Sequence, residues 1–478
     1  MSTGSKKPNL ASVTTVNKDG SHYRLHPADV KGRFTLARRL VAALCLIVYV
    51  ALPWIKINGY PAVFLDTAMR RFHIFGVTLA IQDMWVLFFV ITGLGFTLFF
   101  ITSLMGRIWC GWTCPYTVFL EHVYRRIERW IDGDATARRK LDAEPWSGTK
   151  IAKRILKHGL FLIISCLIAH VLVSYFMSLE GLYAAIQTGP GDHIFSFGVI
   201  IFFTVVLYGC FAFFREQFCI MMCPYGRLQS ALSDDDTMII GYDFQRGDPP
   251  GKPKDPDAGD CIDCRRCVQV CPTGIDIRNG LQLECIGCAN CIDACDDIMK
   301  KLQRPTGLVR YDSYNGLHGK RNRILRPRLF MYFALMLVGL SVLTFTVSKK
   351  ARPFTAQITK MKGIAYQQDD TGIRNVLRIY LFNKRAVDAS YSFRVENAPE
   401  WLKVSGSTDD LKLKPLGETT YTLVVIAPEE NYDGPFDFTL IVEDQGGATV
   451  QQQVNFLGPN PRLYRKRLDE AKATGTNN

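Results

Sequence analysis

From about Arg352 to Asn478 the chain has no cysteine, although it holds 15 elsewhere, so a disulfide-stapled module is excluded there. The first thirty residues lack an apolar run, and the first such run begins only after Arg38 and Arg39. No cleavable signal peptide is therefore expected, and that first run should be retained. Neither lysine nor arginine occurs between Leu179 and His193. A formal charge of +13 would alone suit a nucleic-acid binder, but basic charge banked on one side of apolar runs is the habit of a membrane protein. The bilayer is the expected partner, and nucleic acid is not. Histidine is scarce, at eight residues, and no two sit where neighbouring spans would face each other, which leaves a bis-histidine haem without ligands. Of these, His170 and His158 fall in or beside the third apolar run and His122 follows the first cysteine pair; an interhelical hydrogen bond is the expectation for His170.

With 478 residues, 48% of them apolar, several domains are expected. Five apolar runs approach the ~20 residues that cross a bilayer: about Leu40 to Ile57, Trp85 to Met105, Leu160 to Met177, Ile194 to Phe214 and Leu329 to Val347. Eleven lysines and arginines lie between Gly106 and Lys157, and "KRNRILRPR" abuts the fifth run. Positive charge inside puts the N-terminus in the cytoplasm and the chain beyond Lys349 outside. The expected organisation is a cytoplasmic tail over 1–35, four spans over 36–245, a cytoplasmic linker and cysteine-rich insert over 246–328, a fifth span over 329–348, and an outer domain over 349–478. The linker "RGDPPGKPKDPDAGD" is rich in Pro and Gly, which argues against a packed core. In the last segment "NVLRIYLFNK", "ASYSFRVE", "TTYTLVVIA", "FDFTLIVED" and "TVQQQVNF" alternate polar with apolar residues, as the strands of a β-sandwich do.

The insert carries the chemistry. Cys261, Cys264, Cys267 and Cys271 are spaced C-x2-C-x2-C-x3-C before Pro272, and Cys285, Cys288, Cys291 and Cys295 repeat that spacing. This is the bacterial ferredoxin pattern for two [4Fe-4S] clusters, in which the fourth cysteine of each run serves the other cluster. One cluster then takes Cys261, Cys264, Cys267 and Cys295; the other takes Cys285, Cys288, Cys291 and Cys271. Disulfides suit a reducing cytoplasmic loop badly, and structural zinc uses two separated Cys-x2-4-Cys pairs. Asp296 stands where the stricter motif has proline after the fourth cysteine.

A second pattern is duplicated. "CGWTCPY" (Cys110, Cys114) follows the second run and "CIMMCPY" (Cys219, Cys223) follows the fourth, both on the expected cytoplasmic side. Pro115 and Pro224 should break the helix there and each start a new one. After Pro115, "YTVFLEHVYRRIERWI" sets apolar residues against Arg125, Arg126 and Arg129, as in a helix lying in the membrane interface. Paired soft thiolates suit copper(I) or another iron–sulfur centre, or act as a dithiol; the bland alternative is four small buried hydrophobes. Met221 and Met222 between the second pair offer thioether to copper or simply pack. Cys45, Cys166 and Cys210 sit in the spans without partners and are expected to be buried packing.

Together these features resemble the CcoG family, also called FixG or RdxA. The resemblance implies a five-helix membrane bundle with a ferredoxin-like insert and a periplasmic immunoglobulin-like β-sandwich, acting in assembly of the cbb3-type cytochrome c oxidase. It further implies a bacterial inner membrane and reduction of copper(II) to copper(I), with copper-trafficking or assembly proteins as partners; the eight-cysteine insert and the duplicated thiol pairs then suggest that a cytoplasmic electron donor reduces two [4Fe-4S] clusters and that Cys110, Cys114, Cys219 and Cys223 are the copper-handling end. A quinol-linked carrier serving another respiratory complex, and an assembly scaffold with structural clusters, are the competing readings.

Overall fold

The computed structural model describes residues 24–466 apart from 68–69, 80–83, 324, 351–352, 362, 364, 370–371, 386, 407 and 416. Most of the expected tail over 1–35, and the end beyond 466, lie outside the described residues. Two compact units emerge, one comprising residues up to 345 except 76–78, the other those three residues and 346 onward.

In the first unit, five helices are long and apolar enough to cross a membrane: Arg33–Ala51, Trp85–Met105, Gly148–Ser174, Ile194–Phe214 and Pro327–Phe345. Leu40, Leu44, Ile47, Phe88, Ile91 and Leu94 point away from the protein, as side chains facing lipid do. Gly93 and Gly339 let the second and fifth helices approach: a Cβ at Gly339 would come within 3.2 Å of the Gly93 Cα. Two boundaries differ from expectation. The first helix starts at Arg33 and stops at Ala51 rather than Ile57, because Pro53 has no N–H to continue the ladder past Leu52, whose own backbone is still helical at φ −54° and ψ −40°; Lys56–Ile57 instead pair with Tyr60–Pro61. The third starts at Gly148, well before Leu160, because the Ser147 hydroxyl accepts the Lys150 N–H as its cap.

The insert between the fourth and fifth spans is a small domain. Antiparallel strands Ile239–Tyr242 and Val309–Asp312 and the helix Asn290–Lys301 close on Ile240, Tyr242, Ile275, Ile277, Ile292 and Met299, with most of the insert's cysteines against this core. The Pro/Gly-rich segment is no loose tether: the Arg246 guanidinium binds Asp260 and the carbonyls of Pro305 and Thr306, and Arg304 reaches the carbonyls of Gly259 and Pro253. Long-range arginine contacts supply here what a hydrophobic core does not.

The second unit holds two antiparallel sheets. One pairs Gly372–Asn383 with Glu418–Ala427 on one side and Phe354–Lys360 on the other; the second orders Leu411–Leu413, Ala389–Glu396, Phe436–Asp444 and Thr449–Phe456. Leu377, Ile379 and Leu381 from one sheet and Phe438, Leu440 and Val442 from the other share one core. The five expected strands are all present; Phe354–Lys360, Gln367–Asp369, Lys403–Ser405 and Leu411–Leu413 are additional.

Candidate functional site

The two cysteine runs fold alike, residue for residue. Asp263 and Gly287, each just before the second cysteine, have φ of 52° and 67°; Arg265 and Ala289, just after it, have φ of 54° and 62°. Left-handed backbone is costly for residues with a Cβ, about 1–3 kcal/mol each, and persists where a ligand clamp demands it. Each loop then turns into a helix that carries its third cysteine, Arg266–Gln269 in one and Asn290–Lys301 in the other.

The result is two cavities. Cys261, Cys264, Cys267 and Cys295 line one of about 390 Å³; Cys271, Cys285, Cys288 and Cys291 line the other, of about 320 Å³, with Cys267 between them. The fourth cysteine of each run thus lines the other run's cavity. Burial pushes the thiols of Cys267, Cys285 and Cys295 up to about 12 and that of Cys288 to about 11, so the fold disfavours free thiolates here. The Gly287 N–H donates to the Cys285 sulfur and the Asn290 N–H to that of Cys288, bonds of the kind that tune cluster potential. Asp296 does not break the helix as proline would; its carboxylate accepts the Gly307 N–H at 2.9 Å.

The paired motifs also repeat in structure. Cys114 and Cys223 are extended, with ψ of 123° and 114°, and Pro115 and Pro224 open the next helices. In each, the second cysteine's N–H reaches five residues back, Cys114 to the Trp109 carbonyl at 2.9 Å and Cys223 to that of Phe218 at 2.8 Å, the π-type turn that often marks functional sites. The two pairs meet. Burial raises both Cys110 and Cys219, the latter to about 12; Cys114 and Cys223 add to the rise at both, while the Arg107 guanidinium opposes it. Arg107 also donates to the Leu283 carbonyl, at the start of the second run. Cys110 packs on Ile286 and Cys288, and this needs Gly111: a Cβ there would lie 2.6 Å from the Ile286 carbonyl oxygen and 2.9 Å from the Cys288 nitrogen. Neither Arg107 nor Gly111 was legible beforehand, since their partners lie far along the chain.

The helix after Pro115 does not simply lie in the interface. Arg125 is buried, bound to Glu121, to Glu216 at 2.9 Å and to the Pro272 carbonyl at 3.2 Å. One turn on, Glu128 takes both Arg215 Nη groups at 3.0 and 3.1 Å and lies 3.6 Å from Arg138. Burial opposes charge on Glu128, but Arg215, Lys157 and Arg125 outweigh it and hold the carboxyl at about 2, against an ordinary 4.5. A Glu128→Gln variant strands these arginines, and breaking a buried pair costs about 3–5 kcal/mol. Its thermal unfolding midpoint should fall accordingly at neutral pH. Because the folded-state value is depressed, the carboxylate's contribution is full above about 4.5 and disappears as pH falls towards 2, so the gap between wild type and variant should close in acid.

The remaining candidates play smaller parts. His170 bonds within its own helix, to the Cys166 carbonyl at 2.8 Å, rather than across helices: the i−4 carbonyl is the nearest acceptor. His158 does reach across, to the Tyr208 hydroxyl at 3.0 Å. Cys45, Cys166 and Cys210 are half-buried, not fully buried, because spans facing lipid leave side chains uncovered by protein. Met221 and Met222 are exposed.

Comparison with known proteins agrees with this architecture. A family described as a 4Fe-4S dicluster domain matches residues 214–314, one described as a 4Fe-4S binding domain matches 84–133, and the IG-like fold at the C-terminus of FixG matches 344–459. RdxA of Cereibacter sphaeroides is 34% identical over 390 residues, covering 78% of this chain and 82% of that protein. The nitrogen fixation protein FixG of Rhizobium meliloti is 31% identical over 479 residues, covering 88% and 90%, and RdxB of Cereibacter sphaeroides is 33% identical over 424, covering 84% and 88%. With paired ferredoxin loops, five apolar helices and a FixG-type C-terminal domain in one chain, this is an iron–sulfur electron-transfer protein of the membrane that belongs to the FixG/RdxA (CcoG) family.

Proposed function

We propose that the chain reduces copper(II) to copper(I) at Cys110, Cys114, Cys219 and Cys223, in support of assembling the copper centre of a cbb3-type oxidase. The carrying observation is the packing of Cys110 on Ile286 and Cys288, which sets a buried thiol of the first pair against the run that lines the second cavity. Cys261, Cys264, Cys267 and Cys295 would hold one [4Fe-4S] group, and Cys271, Cys285, Cys288 and Cys291 the other. When bound, these groups supply one-electron storage and transfer at potentials between about −700 and +450 mV. Copper is the substrate. Soft thiolates favour copper(I) over copper(II), so the paired motifs stabilise the product, and Arg107 offsets part of the cost of charging buried thiols. The charge distribution along the sequence supports a cytoplasmic N-terminus and a periplasmic immunoglobulin-like domain, with a cytoplasmic electron donor and copper-trafficking or oxidase-assembly proteins as partners. Full-length protein, reduced anaerobically and freed of reductant, should convert about two copper(II) ions per chain to copper(I), one for each [4Fe-4S] group. No copper(I) from demonstrably reduced protein would refute the proposal.

A second reading rests on the match over 84–133, whose description is 4Fe-4S binding although Cys110 and Cys114 are its only cysteines. It gives the four paired thiols a further iron–sulfur group, and the iron count separates the two.

A further inference from the structure

A cavity open to solvent lies beside the second cluster cavity and shares Cys285 with it. Its wall includes Met105, the last residue of the second span, so it begins where the bilayer-crossing helix ends. Leu281 and Leu283 supply apolar surface, and Tyr311 and Tyr314 supply aromatic rings. Tyr311 is fixed in place: its hydroxyl donates to the Gly287 carbonyl at 2.7 Å and accepts from Trp112 Nε1 at 3.2 Å.

Two polar side chains in this wall, both 7% exposed, have unfilled hydrogen-bonding capacity. Gln229 anchors its amide nitrogen on the Ser233 hydroxyl at 3.3 Å, which leaves its Oε1 as an acceptor with no donor. Arg107 has the converse, an Nε–H with no acceptor. Buried groups of this kind are costly unless something pairs with them. A ligand that satisfies both is apolar and flat, with an O–H or N–H for Gln229 and a carbonyl for Arg107.

We infer that this cavity docks the planar ring of a two-electron carrier, a quinone/quinol headgroup from the bilayer or the flavin of a soluble donor, against the Cys285 wall. The inference rests on the reading of Cys285 as a cluster ligand and identifies the chemical class of the electron donor. The electron count balances: the reduced ring gives up two electrons and two protons to become the oxidised ring, the chain's two [4Fe-4S] groups accept one electron each, and the protons leave to solvent past Asp234 and Asp235 at the cavity wall.

The test is binding of oxidised rings to oxidised full-length protein in detergent or nanodiscs, with decylubiquinone and FMN as separate probes. One of them should bind saturably at one site per chain, and Ala231→Trp, which puts an indole into the cavity wall, should weaken that binding at least tenfold; Gln229→Leu should weaken it several-fold. Both variants should keep wild-type iron content and bleaching by dithionite, which shows that the fold and clusters survive. Decylubiquinone binding points to the bilayer, FMN binding to a soluble donor. Failure of both probes, or binding that Ala231→Trp leaves unchanged, overturns the inference alone. Wild-type protein that neither carries iron nor bleaches with dithionite overturns the cluster reading and this inference together.

Discussion

Replacing Cys288 by serine should halve the iron of the purified protein, from about eight to about four per chain. Cys288 lines only the second cavity, with Cys271, Cys285 and Cys291, so the first cavity keeps its full set of thiols. A serine hydroxyl is a hard, weakly acidic donor where a soft thiolate is needed. The position also touches Cys110, so copper reduction should fall at least tenfold with the iron. Cys166→Ser is the control: that sulfur sits in the third span, 3.5 Å from His170 Nδ1, and its loss should leave iron unchanged. Iron unaffected by Cys288→Ser would mean that the second cavity is not a cluster site.

The second large effect belongs to the paired motifs. Serine at Cys110, Cys114, Cys219 and Cys223 together should lower copper(II) reduction by at least a hundredfold while iron stays at about eight per chain. The expected separation follows from geometry: these four thiols gather around Arg107 and none lines either ferredoxin cavity. Full copper reduction by this variant would remove the motifs from the mechanism, and loss of iron with it would favour the second reading. Anaerobic titration with a copper(I)-specific chelator measures the first quantity and iron analysis the second.

How much of this was readable from sequence depended on how local the determinants are. The ferredoxin loops were legible because ligation fixes short spacings, and a 4Fe-4S dicluster family matches the stretch that holds them. Strand alternation gave Ala389–Glu396, Phe436–Asp444 and Thr449–Phe456 with their bounds, because one buried face imposes period two. Lys403–Ser405 and Leu411–Leu413 were missed because three residues carry almost no period. The breaks at Cys114 and Cys223 were legible from proline alone. What joins the parts was not. Gly111 looks like any glycine until the carbonyl of Ile286 arrives beside it, and Arg125 looks like one more interfacial cation until Glu216 and Pro272 surround it. Such contacts are decided by tertiary packing, on which local composition has no purchase.

Iron and acid-labile sulfide analysis of anaerobically purified full-length protein, with EPR of the dithionite-reduced form, tests the central claim most directly. The account predicts about eight irons and eight sulfides per chain and the signals of two reduced [4Fe-4S] groups. A count near twelve would place a third group on the paired motifs and contradict their assignment to copper, and a colourless, iron-free protein that stays so after anaerobic reconstitution would contradict the account altogether.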